Sequence, residues 1–190
     1  MARSVWHRSL WSMLALCGVL LATSLHLHGA QPAGASPPTR SAATSVTGAT
    51  AAVPECTNAD LKASYRARDA GVGHRYGALR LRNTSDSTCW VRGFGGLSYV
   101  GGGDGTQVGA AADRDGAAGA RVVLEPGDRA TSQVDEVVAV NYPRSRCRPT
   151  PVDGFRVYVP DSTQSQFVRH RTTGCGNDAV HLISHRAFRG

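Results

Sequence analysis

The chain has 190 residues, of which 41% are hydrophobic, 18% charged and 6% aromatic, with 22 glycines. These proportions exclude a chain disordered throughout, a polytopic membrane protein and a collagen-like repeat. The formal charge of +7 rests on 21 basic residues, of which only Lys62 is a lysine, so it comes from guanidinium groups that no physiological pH neutralises.

Residues 1–8 carry Arg3 and Arg8 with no acid, and residues 10–25 are apolar apart from a few hydroxyls. This is the charged and apolar order of an export signal. Small residues at Ala33 and Ala35 place a cut before Ser36, so residues 1–35 are expected to be a signal peptide. An uncleaved membrane anchor is the rival reading, but only 17 residues separate Arg8 from His26, the low edge of the ~17 to 25 needed to span a bilayer. Leu16 before Cys17 departs from the small residue that a lipidation signal needs. Residues 36–53 are almost wholly Ser, Thr, Ala, Pro and Gly, with nothing large enough to bury, and are expected to be a disordered linker. The folded domain then spans residues 54–190. Loss of residues 1–35 leaves 19 basic and 14 acidic groups, a net of +5.

An exported chain with Cys56, Cys89, Cys147 and Cys175 should hold them as two disulfides. Three pairings are possible; chain order favours Cys56 with Cys89 and Cys147 with Cys175, each closing a loop of about 30 residues that stabilises by roughly 3–4 kcal/mol. No two of these cysteines are close enough in sequence for a zinc knuckle.

The apolar residues alternate with period two. Leu61, Ala63, Tyr65 and Ala67 alternate with Lys62, Ser64, Arg66 and Arg68, and the rhythm returns in Leu79 and Leu81, in Val134, Val138 and Val140, in Phe155, Val157 and Val159, and in Val180 and Leu182. Shorter runs at Trp90–Val91, 97–100, 121–124 and 166–168 complete about eight strands. Turn signals fall at 83–86, 101–105, 113–116, 125–128 and 152–154. The expectation is an all-β fold, an antiparallel immunoglobulin-like β-sandwich with two disulfides.

The succession of Cys56, LRLRNTSDSTCWVRGFGGLSYV (79–100), a glycine-rich turn, VVLEPGDRA (122–130), NYPRSRCRP (141–149), FRVYVP (155–160) and Cys175 resembles the exported actinobacterial family called domain of unknown function 4232, over residues 56–184. The resemblance implies a secreted or envelope-attached β-sandwich with this cysteine pattern. That family has no agreed activity, so no catalytic residue carries over.

Candidate chemistry is sparse. Ser98 lies in a strand pattern and misses the nucleophile-elbow spacing by one residue. Asp104, Asp113 and Asp115 could converge on calcium, but the closing Glu of such a loop is absent and Arg114 repels a cation, so plain loops are expected. His181 and His185 on one strand would stand about 13 Å apart, too far to share an ion, and are expected to be exposed structural residues. No metal and no cofactor is therefore expected. Arg144, Arg146 and Arg148 flank Cys147, and Arg169 and Arg171 precede Cys175; if those cysteines pair, five guanidiniums gather as a possible anion-binding patch. Side chains that merely solvate strand ends are the plainer reading. Export and the lack of interleaved aromatics argue against nucleic acid.

The expected function is thus an exported, non-catalytic module, secreted or in the cell envelope, that binds an anionic envelope polymer or an envelope protein or serves structure. Contact with membrane is expected only if the N-terminal segment stays uncleaved. The alternative is a secreted hydrolase with a loop-built site. Facing carboxylates in a pocket, or His74 or His170 beside an acid and a hydroxyl, would favour it.

Overall fold

The computed structural model describes residues 52–190. The expected signal peptide and all but the last two residues of the expected linker lie outside the described residues.

Alternation builds the first hairpin. In β1 (Leu61–Gly71) Leu61 and Ala63 are buried while Lys62 and Ser64 are exposed, and β2 (His74–Asn83) returns antiparallel with Leu79 and Leu81 facing the same core. Beside β2 lies β8 (Arg129–Val137), then β11 (Ile183–Arg186) and β6 (Asp113–Asp115), giving a five-stranded sheet β1-β2-β8-β11-β6. A four-stranded sheet runs β10 (Ser165–Cys175), β9 (Pro149–Tyr158), β4 (Gly96–Gly101), β5 (Thr106–Ala111). A short pair, β3 (Cys89–Val91) with β7 (Val122–Leu124), closes one end. Among the described residues, every pair of named strands is antiparallel except β11 with β6, which is parallel. Among the described residues, helix is confined to a 3-10 turn at Ala139–Asn141 and the four-residue α1 (Arg144–Cys147).

The two large sheets face one another in a sandwich-like arrangement. Leu61, Leu79, Leu81, Val134 and Ile183 come from one, Leu97, Tyr99, Val152, Phe155 and Val157 from the other, all in one buried cluster. The disulfides join Cys56 to Cys89 and Cys147 to Cys175, as chain order favoured. Two oxidised pairs fit an extracytoplasmic compartment. Among the described residues, no helix is long and apolar enough to cross a membrane.

Several local expectations are corrected. The described residues form eleven strands where about eight were expected. Residues 113–116 are not simply a turn, since Asp113–Asp115 pair with β11, and residues 152–154 lie inside β9. Gly154 permits this because a Cβ there would collide with the Val168 carbonyl and lie 2.6 Å from the Phe167 ring. Val138 and Val140 fall beyond β8, and Val140 is 86% exposed. His185 is buried at 2% exposure, because the strand begins at Ile183 and turns its ring inward.

One side chain straps the sandwich along its edge. Gln166 on β10 accepts the Ala63 N–H at 2.9 Å and donates to the Leu61 carbonyl at 2.7 Å, standing in for a missing strand beside β1. Gln166→Ala leaves both backbone groups without this partner and is expected to lower the urea-unfolding free energy by about 1–3 kcal/mol.

Candidate functional site

Glu136 is the centre of a buried polar hub. It sits on β8 with a side chain 1% exposed, and three groups from three other strands converge on it. The Tyr65 hydroxyl donates to Oε1 at 2.6 Å, the Tyr99 hydroxyl donates to Oε2, and His170 Nε2 lies 2.9 Å from Oε2. A carboxylate only accepts, so His170 carries its proton on Nε2. Gly77 makes the Tyr65 approach possible: a Cβ there would stand 2.1 Å from the hydroxyl. Phe155 stacks on His170 at 4.7 Å with planes 2° apart and holds the ring in place. Burial alone pushes the Glu136 carboxyl up, but the His170 contact and the two hydroxyls outweigh it and hold it below the usual carboxylate range. The same contacts, with burial foremost, push both tyrosines well above their ordinary value.

Other pairs that look reactive are tied into the fold. His74 Nδ1 lies 2.7 Å from Asp135 on the surface. Ser132 Oγ lies 3.2 Å from His185 Nδ1, but it is fully buried and its hydroxyl donates to the Arg186 carbonyl at 2.5 Å, which commits its proton. Burial, then the Arg114 charge, push His185 down to about 4. Asp104 accepts the Thr106 N–H at 2.9 Å, Asp113 pairs with His181 at 2.8 Å and Asp115 with Arg186 at 3.1 Å, so the three acids point to separate partners.

The five arginines divide between different surfaces. Arg169 and Arg171 line a cavity of about 480 Å³ with Phe167 and Asp153. Arg144 lines one of about 350 Å³ with Arg75 and Tyr142. Arg148 donates to the Gly176 carbonyl at 3.1 Å and Arg146 lies 5.7 Å from the Tyr142 ring.

A cleft of about 760 Å³ lies at the end that carries the Cys56–Cys89 bridge, and sequence reasoning missed it. Trp90, Phe94 and Tyr158 supply aromatic walls, with Arg92, Arg114 and Asp161 between them. The bridge positions Trp90: Cys56 N–H donates to the Trp90 carbonyl at 2.8 Å and the indole N–H to the Val53 carbonyl at 3.1 Å. Arg121 covers the indole at 4.0 Å and Arg114 stands 5.7 Å from the Phe94 ring. Glycines at 95 and 96 bring the backbone against Tyr158, where a Cβ on Gly96 would lie 3.0 Å from its ring. Asp161 also borders an adjoining cavity of about 380 Å³ with Glu55. Glu55 Oε1 is buried with no N–H or O–H donor among the described residues. Burial, then the neighbouring Asp161 carboxyl, push Glu55 up against the opposing pull of Arg121.

No curated protein and no solved structure matches this chain. The model of one family, described as Domain of unknown function (DUF4232), matches residues 56–188, the span that holds both disulfides, the Glu136 hub and the cleft, and the chain belongs to that family.

Proposed function

We propose that this protein is an exported, non-catalytic binding module, an immunoglobulin-like β-sandwich whose cleft at Trp90 takes an anionic saccharide polymer of the cell envelope. The observation that carries the reading is the juxtaposition of three aromatic rings with Arg92 and Arg114 in one open cleft. Aromatic faces suit sugar rings, and guanidiniums suit carboxylate or phosphate groups on them. Asp161 adds an acceptor for hydroxyls.

Purified anionic wall polymer should bind the protein, release it as salt rises, and bind at least about tenfold more weakly to Arg92→Ser/Arg114→Ser. Arg144→Ala/Arg146→Ala/Arg148→Ala should leave the affinity unchanged. The reverse pattern would move the site to the α1 arginines. A secreted hydrolase is the second reading, favoured by the facing Glu55 and Asp161 carboxyls. Polymer cleavage that Asp161→Asn abolishes would establish it in place of binding.

A further inference from the structure

The end of the sandwich opposite the cleft carries a feature that the fold itself disfavours. Gly71 pairs with His74, so the β1–β2 hairpin turns on Val72 and Gly73 alone, with φ of 50° and 79°. Two positive φ values are the signature of a type I′ turn, whose first position favours Asn, Asp or Gly. A β-branched residue is strained there. Val72 recovers nothing through packing, because it is 102% exposed. The 3-10 turn is bound to this tip: the Gly73 carbonyl accepts the Val138 N–H and the Asn141 side-chain amide, each at 2.9 Å. That contact holds the turn that carries Val140, 86% exposed, against the tip of the hairpin.

Behind the two valines the surface is cationic. The cavity of about 350 Å³ is walled by Val138, Val140 and Tyr142 together with Arg75 and Arg144. Residues 139–149 include Arg144, Arg146 and Arg148 and no acid. Acids of the adjoining strands are engaged, Asp69 with the Ala70 N–H at 2.8 Å, Asp135 with His74 at 2.7 Å and Glu136 with His170 at 2.9 Å.

We infer that this tip docks on an anionic phospholipid surface, Val72 and Val140 entering the acyl boundary while Arg75 and Arg144 receive a headgroup phosphate. Exposed apolar side chains at an apex, an aromatic ring behind them and guanidiniums at headgroup depth are what an interfacial anchor needs. A protein partner would call for a broad complementary face, whereas two protruding valines on a narrow turn suit a fluid surface. The inference is independent of the cleft. The extent of β9, from Pro149 beside the tip to Tyr158 in the cleft, separates the two by roughly 30 Å.

The test uses the full chain with Val140→Trp and vesicles of brominated phosphatidylcholine, alone or with about one third phosphatidylglycerol. Quenching above that of the unsubstituted chain is expected only with phosphatidylglycerol, and not for Val123→Trp, an exposed control on β7. Arg75→Gln/Arg144→Gln should raise the lipid concentration needed for half-quenching by roughly tenfold or more. Val72→Asn should abolish quenching while raising or preserving the thermal midpoint, since Asn relieves the turn. Absence of quenching at position 140, equal quenching at position 123, or equal quenching by neutral vesicles would each overturn the inference. So would release by soluble glycerol phosphate, which would mark a small-anion site, or capture of an envelope protein without quenching.

Discussion

Glu136→Ala is expected to lower the unfolding free energy by about 3–5 kcal/mol, a large part of the ~5–15 kcal/mol typical of a domain. The reason is what the substitution leaves behind. Tyr65, Tyr99 and His170 all direct a donor, from three different strands, at one carboxylate that is itself 1% exposed. Truncation strands all three donors, and each buried unsatisfied group costs about 1–3 kcal/mol before any cavity is counted. Glu136→Gln should cost less, about 1–3 kcal/mol, because its carbonyl still accepts while its amide confronts a donor. Urea unfolding at neutral pH measures both. If the hub acts by donor satisfaction, Glu136→Leu combined with Tyr65→Phe and Tyr99→Phe should recover much of the loss of Glu136→Leu alone, since matched apolar groups can replace a buried polar set at little cost. A loss below about 1 kcal/mol for Glu136→Ala would mean that water reaches the hub.

The hub shows why part of the molecule was legible in the sequence and part was not. Strands β1 and β2 and the second half of β9 announce themselves because apolar residues alternate with charged ones, as in Leu79-Arg80-Leu81-Arg82. β10 escapes beyond its first residues because its inward positions are polar. Gln166, His170 and Thr172 are each satisfied by a partner on the facing sheet, respectively the β1 backbone, Glu136 and Arg75. In sequence they read as a solvated stretch. Glu136 likewise reads as an exposed acid, its partners lying 34, 37 and 71 positions away along the chain. The cleft drew on three separated segments, around Trp90, Arg114 and Tyr158, and only the bridge at Cys89 and the glycines at 95 and 96 hinted that Trp90 and Tyr158 were held for display. The cysteine pairing was legible because short loops close most readily, and the division of the arginines was not, because Arg169 and Arg171 on β10 line one cavity while Arg144 lines another beside Tyr142.

Acidification should weaken the fold in two separable stages. His185 titrates near 4 in the folded protein against about 6.5 in the unfolded chain, because burial and the Arg114 charge disfavour its protonated form. Its folded value is depressed, so between those limits the unfolded chain binds the additional proton. Stability is therefore full above about pH 6.5 and declines as pH falls toward 4, by about 3 kcal/mol in all. The groups facing the ring, Phe94, Ser132, Arg114 and the Arg186 carbonyl, include no carboxylate that could hold the proton. Glu136 acts below that range. Its folded carboxyl lies below the ordinary value, so its contribution is present above the usual carboxylate range and disappears as pH falls through the folded one. Urea midpoints followed from pH 8 to pH 3 should show the first decline in the parent protein and not in His185→Gln, which has no ring to charge, although that variant starts from a lower stability at neutral pH. Glu136→Gln should retain the first decline and flatten the second. A parent protein whose midpoint is level from pH 7 to pH 4.5 would mean that His185 is protonated without cost, and hence that water or a rearranged Arg114 reaches it in solution.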